Sequence, residues 1–372
     1  MDHPSRRRFL GSAAGLGLTT GFTETSAGQN SQTEGEKLEL SAATQRLLSQ
    51  FALTYPIFQA ATGSTSSPGL AIAVSSAGAM GGMALWMFSP DEASARVTKV
   101  RSAISKPFYV NYVLANEPRS LPAALEAGAP IVQFSWGMPD RALVAAVRQA
   151  GAKMGIQVSS AESARAALDL GADYLVCQGT EAGGHVQANS RLHETLPKVL
   201  DQAKLAPVIA AGGIGNGADI RRMLSAGASG ALLGTRFVAT RENSAHQAYK
   251  NALLKADKGD TVLTVCFEGG WPNATHRVMR NGTFVRWDAA GCPPVGKRPG
   301  EGDVVATRPD GSTILRYAVS SPLASFTGNQ LLDCALYAGE GVGAVRDIPA
   351  AGDLVVRLWK ECVAAGEGPL RD

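Results

Sequence analysis

The hydrophobic pattern of this chain changes period repeatedly from Tyr55 onward. Short apolar or β-branched runs alternate with alanine-rich amphipathic stretches, and Gly or Pro often stands at the junction. The apolar runs predict eight strands, at residues 56–60, 83–88, 108–114, 130–136, 154–159, 174–178, 207–211 and 230–234. The stretches between them predict helices, at residues 68–77, 90–104, 121–127, 140–150, 161–170, 192–203 and 218–226. Alternating strands and helices form a parallel sheet, and eight such units are typical of a (β/α)8 TIM barrel.

The alternation ends after about residue 240. One more helix is predicted at 244–256, so we place the barrel at residues 41–256. Residues 257–326 are rich in Gly, Pro and Asn and too numerous for a structureless loop. We expect them to form a small, mostly irregular or helical subdomain over the barrel mouth. Residues 327–372 are expected to return to the barrel wall as helices at 329–337 and 351–365. The predicted fold class is therefore α/β, a TIM barrel with a smaller C-terminal inserted subdomain.

The first residues carry a pattern of their own. Ser5-Arg6-Arg7-Arg8-Phe9-Leu10 precedes a weakly apolar run, Gly11 to Gly21, and polar residues follow. This order resembles a twin-arginine export signal. It implies that the twin-arginine export machinery recognises residues 1–40 as a signal and flexible leader, and that the protein is periplasmic or secreted. A basic patch at a flexible terminus is the alternative. The apolar run is too short for a membrane anchor.

Composition and charge narrow the class of protein. An apolar fraction of 45% in 372 residues is enough for a large core. The 35 basic residues nearly balance the 32 acidic ones, so no field of one sign would recruit nucleic acid or an anionic membrane. The cysteines show no C-x-x-C pair and no ligand cluster with His, at positions 177, 266, 292, 334 and 362. Neither a disulfide framework nor a metal site is indicated, and we expect most of them to be buried small apolar residues.

Glycine-rich turns follow the last two predicted barrel strands. In a TIM barrel the carboxyl ends of the strands form the active face, and a phosphate group commonly lies between the turns after strands seven and eight. Here those turns contain Gly212-Gly213 and Gly234-Thr235. Without a Cβ atom, glycine lets backbone N–H groups approach phosphate oxygens, and a helix that begins near Asn216 would point its positive end at them. The alternative is that these glycines only form tight turns.

The sixth predicted strand ends in a second polar group, Gln178-Gly179-Thr180-Glu181-Ala182-Gly183-Gly184-His185. The amide of Gln178 could bind the edge of a heterocycle, because it both donates and accepts hydrogen bonds. Gly183 and Gly184 would let the loop pass close to a ring or a phosphate. His185 could titrate near neutral pH and act as a general base. A surface or core histidine is the alternative, but no other histidine of the chain has a comparable setting.

With these motifs the sequence resembles the nitronate monooxygenase family, formerly called 2-nitropropane dioxygenases. The resemblance runs from about Leu53 to Leu254, includes the opening Tyr55–Ala60, and resumes at residues 337–343. It implies an FMN-dependent barrel with a smaller second domain and no metal, and it implies that His185 is the catalytic base. The residues on the family's FMN-contacting positions are Asn111, Gln178, Gly183, Gly213, Leu232, Leu233, Gly234 and Thr235.

The resemblance also implies an activity. A base removes the α-proton of a nitroalkane, or a nitronate binds directly, and flavin and O2 convert it to a carbonyl compound and nitrite. Where the family usually has Gln-Ala-Pro-Met, this chain has Gln59-Ala60-Ala61-Thr62, which we expect to change the substrate more than the cofactor. Three other functions stay open: an FMN-dependent NAD(P)H reductase of a quinone or enoyl thioester, a flavin- or phosphate-binding protein without turnover, and a phosphosugar isomerase or synthase.

Overall fold

The computed structural model describes residues 38–366. The predicted twin-arginine motif lies outside the described residues. Within them, no helix is long and apolar enough to cross a membrane. Four of the five cysteines are buried and Cys292 is exposed, and all five are free thiols.

Eight parallel strands form the barrel, and all eight overlap the predicted strands, although the second begins and ends earlier than predicted. They are β1 (Ile57–Gln59), β2 (Gly81–Ala84), β3 (Phe108–Val113), β4 (Ile131–Ser135), β5 (Lys153–Val158), β6 (Tyr174–Gln178), β8 (Val208–Ala211) and β9 (Gly230–Leu233). A two-residue strand, β7 (Gly184–His185), lies in the loop between β6 and β8. The strand order is β1-β9-β8-β6-β5-β4-β3-β2, and a parallel bridge between Phe58 and Met80 closes the ring.

Helices surround the barrel at all the predicted positions, and two further helices, the first and the ninth of the chain, were not predicted. They are α1 (Ala42–Gln50), α2 (Pro68–Ser76), α3 (Pro90–Ala103), α4 (Leu121–Glu126), α5 (Arg141–Gln149), α6 (Ala161–Asp169), α7 (Leu192–Ala203), α8 (Gly217–Ser225), α9 (Thr235–Val238) and α10 (Gln247–Lys255). Local sequence explains their ends. Ser89 caps α3, with Pro90 at the first helical position and Glu92 completing a capping box. Past the end of α5, Gly151 takes the left-handed conformation, with φ +69°.

Aromatic rings fill the inside of the barrel. Tyr109 and Tyr174 are fully buried there, and each ring fits against a glycine on a neighbouring strand. A Cβ atom on Gly82 would lie 2.3 Å from the Tyr109 ring, and one on Gly155 would lie 2.1 Å from the Tyr174 ring. These strand glycines are therefore required by packing inside the barrel rather than by turns.

The subdomain contains more strand than predicted. Residues 257–326 include β10 (Thr261–Thr264), β11 (His276–Met279), α11 (Gly282–Ala289), β12 (Val304–Thr307) and β13 (Thr313–Leu315). The first two join β7 in an antiparallel sheet of order β10-β11-β7, and the last two form a hairpin. Most of this segment is irregular or helical, as expected, but its four short strands were not predicted. The pairing of β11 in particular depends on β7, in the distant β6–β8 loop.

The end of the chain returns to the barrel through one helix. The predicted helix at 329–337 is wrong: only a 3₁₀ turn, Leu331–Asp333, forms there. Residues after it run extended, since the carbonyl of Leu336 accepts a hydrogen bond from the N–H of Met279, at 2.8 Å. The second predicted helix is confirmed as α12 (Ala351–Ala364), which packs against α8 and α2.

Candidate active site

A cavity of about 620 Å³ lies at the carboxyl ends of the barrel strands, between the barrel turns and the subdomain. Its wall includes His185 and eight of the nine residues predicted to bind the cofactor, namely Asn111, Gln178, Gly183, Gly212, Gly213, Leu232, Gly234 and Thr235. Leu233 is the exception. Its side chain is buried in the layer between the sheet and the helices, because alternate residues of a strand face opposite sides of the sheet.

The turn after β8 has the backbone geometry that an anion site needs. Gly212 and Gly213 have φ angles of +123° and +70°, which side chains rarely adopt. Within residues 38–366, the N–H groups of Gly213 and Ile214 donate to no protein acceptor. Asn216 caps the following helix, α8, through a 2.8 Å hydrogen bond from the N–H of Asp219. The turn therefore presents free backbone donors in front of a helix N-terminus.

Three glycine-containing segments pack directly on one another beside this turn. A Cβ atom on Gly183 would lie 2.5 Å from the Gly339 nitrogen, and one on Gly341 would lie 2.6 Å from the Gly213 oxygen. The Gly339 N–H donates to Thr235 Oγ1 at 3.0 Å. Gly183 is therefore needed for contact with the 339–341 segment, a reason that differs from the close approach to a ring or phosphate expected from sequence.

Ion pairs between charged side chains hold the 339–341 segment in place from outside the cavity. The carboxylate of Glu340 lies 3.0 Å from Arg191, 3.3 Å from Arg277 and 3.4 Å from Lys258. Burial alone would raise the pKa of Glu340, but the hydrogen bond from Arg191 and the charges of these cations outweigh it and lower that pKa. Glu340 stays ionised, and the segment that touches Gly213 is held in place.

His185 enters the cavity wall from the short strand β7. Its Nε2 atom is buried and has no hydrogen-bond partner among the described residues. Burial, and next the repulsion that a protonated His276 would exert, lower the pKa of His185 from 6.5 to about 3. Titration near neutral pH, expected from sequence, is therefore corrected: the imidazole is uncharged over the ordinary pH range and keeps a lone pair that can accept a proton.

His276 lies opposite His185 in the β7–β11 pair, with 5.4 Å between the ring centroids. Both of its ring nitrogens have partners. Nδ1 lies 2.8 Å from the carbonyl of Ala274, and Nε2 lies 3.1 Å from the N–H of Phe267. Nε2 must accept from that N–H, so Nδ1 carries the proton. His276 is a fixed neutral neighbour rather than a second base.

The amides predicted to reach a heterocycle also organise the protein. Gln178 Oε1 accepts from Gln157 Nε2 at 3.1 Å and from the Gln187 N–H at 3.0 Å, and Gln178 Nε2 donates to the His185 carbonyl at 3.3 Å. Asn111 Oδ1 accepts from Gln133 Nε2 at 3.1 Å. These bonds hold the His185 loop and the amide edges of the cavity in fixed positions.

The aromatic side of the cavity was not predicted. Trp86 follows β2, Trp136 follows β4 and Trp271 comes from the subdomain, and all three line the cavity; we call them the tryptophan box. The Trp271 ring stacks on His185, with centroids 4.2 Å apart and planes 20° apart. It lies 4.8 Å from Trp136 and 6.3 Å from Trp86. Tryptophans outside regular elements give no periodic signal, so only the fold brings them together.

A TIM barrel with paired glycine turns, fixed amide edges and a neutral imidazole at its mouth defines an FMN-type barrel oxidoreductase. The family model described as nitronate monooxygenase matches residues 45–124 and 119–361. The chain therefore belongs to the nitronate monooxygenase family.

Individual relatives agree with this assignment. The chain is 28% identical over 355 residues to a nitronate monooxygenase of Pseudomonas aeruginosa, covering 83% of this chain and 96% of that protein. It is 33% identical over 234 residues to a (3aS,4S,5R,7aS)-5-hydroxy-7a-methyl-1-oxo-octahydro-1H-indene-4-carboxyl-CoA dehydrogenase of Mycobacterium tuberculosis, covering 61% and 64%. The solved nitroalkane oxidase of Streptomyces ansochromogenes is 29% identical, with a TM-score of 0.68 over 86% of this chain and 98% of that one.

Proposed function

We propose that the protein binds FMN in the cavity and oxidises nitronates and nitroalkanes with O2 to a carbonyl compound and nitrite. The observation that carries the proposal is the neutral imidazole of His185, whose Nε2 has no partner among the described residues and which lies in one cavity with the glycine turns. Membership in the nitronate monooxygenase family supports it.

The residues present fit FMN. The cavity, about 620 Å³, is in the range of small-ligand sites. The free N–H groups of Gly213 and Ile214 suit a phosphate, and the fixed amides of Asn111 and Gln178 suit the edge of the flavin ring. Bound FMN would supply the redox chemistry, taking electrons from the organic substrate and passing them to O2.

The protein's own part is to position the substrate and hold one proton. Neutral His185 has one unprotonated ring nitrogen, and the lone pair of that nitrogen accepts the α-proton of a nitroalkane. A nitronate has already lost that proton and needs only binding. Stacking on Trp271 fixes the plane of the imidazole and keeps water from one of its faces.

The test is an anaerobic visible spectrum of the purified protein before and after addition of ethyl nitronate, NADH or NADPH. Flavin bands that are bleached by the nitronate alone, with nitrite formed when O2 is admitted, would support the proposal. A colourless protein that cannot take up FMN would refute the cofactor assignment and the reaction together.

One alternative has its own support, an FMN-dependent NAD(P)H reductase acting on a quinone or an enoyl thioester. The dehydrogenase of Mycobacterium tuberculosis that resembles this chain acts, by its name, on a coenzyme A ester. In the same spectral experiment, rapid bleaching by NADH or NADPH with no response to ethyl nitronate would favour this reductase. Bleaching by the nitronate alone would exclude it.

We also propose that the protein leaves the cytoplasm through the twin-arginine pathway after folding. The support is the sequence Ser5-Arg6-Arg7-Arg8-Phe9-Leu10 and the short apolar run behind it. Replacement of Arg6, Arg7 and Arg8 by lysine keeps the charge and should retain the protein in the cytoplasm. Unchanged periplasmic delivery of this variant in cell fractionation would contradict the proposal.

A further inference from the structure

We propose that the tryptophan box, Trp86, Trp136 and Trp271, binds an aromatic group of the substrate. The preferred substrates would then be nitronates or nitroalkanes with an aryl substituent near the reactive carbon. The nitronate part of this statement rests on the proposed function, whereas the aromatic part rests on the geometry of the box.

The three tryptophans meet although they come from three separate segments. They are three of the five tryptophans in the chain, and each lines the cavity while its side chain stays partly exposed. A tryptophan that serves only the core has no ring surface facing a cavity, whereas Trp86 packs against the core on one side and still lines this cavity. Here the aromatic surface is left facing the cavity, next to the candidate base, where a substrate would cover it.

Trp136 is held in a conformation that its own backbone disfavours. Its φ angle is +59°, in the left-handed region, where a bulky residue is strained. The N–H of Trp136 donates to Gln187 Oε1 at 2.8 Å, and this bond keeps the residue in that conformation. A glycine would relieve the strain but could not present an indole ring. Strain of this kind concentrates at functional sites.

Trp271 is fixed by the turn that carries it. Its N–H donates to the Glu268 carbonyl at 2.9 Å, and the Asn273 N–H donates to the Glu268 carboxylate at 2.9 Å. Arg298 forms an ion pair with the same carboxylate. The ring is thereby placed over His185, so a substrate whose reactive carbon reaches the imidazole can place its substituent against the box.

The charge of the wall excludes one other use of an aromatic box. Such boxes also bind cations, with help from nearby carboxylates. Among the described residues that line this cavity, no Asp, Glu or Lys occurs, and Arg308, from the turn between β12 and β13, is the one charged side chain. The wall thus favours a neutral or anionic ligand, and an aryl nitronate has both the ring and the negative charge.

The activity test compares two nitronates with the same CH2 group beside the reactive carbon, those of 2-phenyl-1-nitroethane and 1-nitropropane. We expect kcat/KM to be about tenfold or more higher for the phenyl compound, since ring contacts of this kind give discrimination of that order. Trp86→Ala and Trp271→Ala should each lower that ratio toward one. Trp359→Phe is the matched control, because Trp359 packs against Tyr55, 5.7 Å away, outside the cavity.

A binding test separates this inference from the proposed reaction. Isothermal titration calorimetry of the purified flavoprotein with phenylacetate and propanoate, which differ only by phenyl in place of methyl, needs no turnover. Phenylacetate that binds about tenfold more tightly in the wild type but not in Trp86→Ala supports the box, even if no nitronate is oxidised and the proposed function fails. If both nitronates were oxidised with equal kcat/KM and the two acids bound equally well, the tryptophan box would not be a binding site for an aromatic group. The proposed function would then still be supported. Trp86→Ala is chosen for this test because it should leave the candidate base undisturbed. Among the ring contacts of the described residues, Trp86 contacts Trp271 and not His185.

Discussion

The buried neutral state of His185 should make the protein less stable in mild acid. Its pKa is lowered from 6.5 to about 3 in the fold. Below pH 6.5 the unfolded chain therefore binds a proton that the folded protein does not, so stability is present above pH 6.5 and is lost as the pH falls toward 3. Between pH 8 and pH 5 this one group should reduce the free energy of unfolding by about 2 kcal/mol.

The assay is urea unfolding of the FMN-saturated wild type and His185→Gln at pH 8 and pH 5. The variant has no imidazole to titrate, so its loss between the two pH values should be smaller by about 2 kcal/mol. Burial lowers the pKa of His276 as well. The contributions of His276 and of the carboxylates are present in both proteins, so they cancel when the two losses of stability are subtracted. Equal losses in the two proteins would refute the neutral, desolvated state assigned to His185.

Three further predictions use matched pairs. Gly213→Ala and Gly151→Ala introduce alanine at nearly the same φ, +70° and +69°. In a fluorescence titration, FMN affinity should fall about tenfold in Gly213→Ala only. Equal losses of affinity in the two variants would contradict the assignment of the Gly213 turn as the phosphate site. Glu340→Gln removes a carboxylate that is shared by three cations. In urea unfolding it should lower the free energy of unfolding by about 1–3 kcal/mol, whereas Glu117→Gln, at an exposed ion pair, should lower it by under about 1 kcal/mol. Similar losses in the two variants would show that the ion pairs of Glu340 contribute little to stability. In stopped-flow absorbance, His185→Gln should slow anaerobic reduction of the flavin by a neutral nitroalkane about 100-fold or more. Reduction by the preformed nitronate should slow much less, because it needs no base. Equal slowing with both substrates would mean that His185 is not the base.

The barrel could be predicted because its signals are local. Each strand and helix of a β/α unit is specified within about 30 residues, by an apolar run, a cap and a turn glycine. The second strand shows where this fails. The apolar run predicts a strand at residues 83–88, but β2 ends at Ala84, and the apolar residues Trp86 and Met87 belong to the cavity wall. Periodicity cannot distinguish a buried strand from an apolar lining.

The three-stranded sheet of the subdomain could not be predicted in the same way, because it depends on a strand that is distant in sequence. β11 forms between β10 and β7, and His276 pairs with His185 across that sheet. The apolar run around Leu336 has helical composition, yet it is drawn out beside Met279 by a backbone hydrogen bond. Tertiary pairing of this kind overrides local propensity.

The two halves of the candidate site therefore differ in origin, and this difference has a consequence for substitutions. The cofactor side lies on turns of the regular barrel, where glycine backbone geometry decides binding, at Gly213 for example. The substrate side lies on loops and on the subdomain, where the rings of Trp86 and Trp271 decide shape. Changes to the box should alter the choice of substrate while FMN remains bound, and changes to the turns should release FMN whatever substrate is offered.

The Ala61-Thr62 pair lies in the cavity wall too, so exchanging it for the Pro-Met pair usual in the family should move substrate preference and leave FMN affinity nearly unchanged. A loss of FMN from that exchange would place the first strand on the cofactor side of the site.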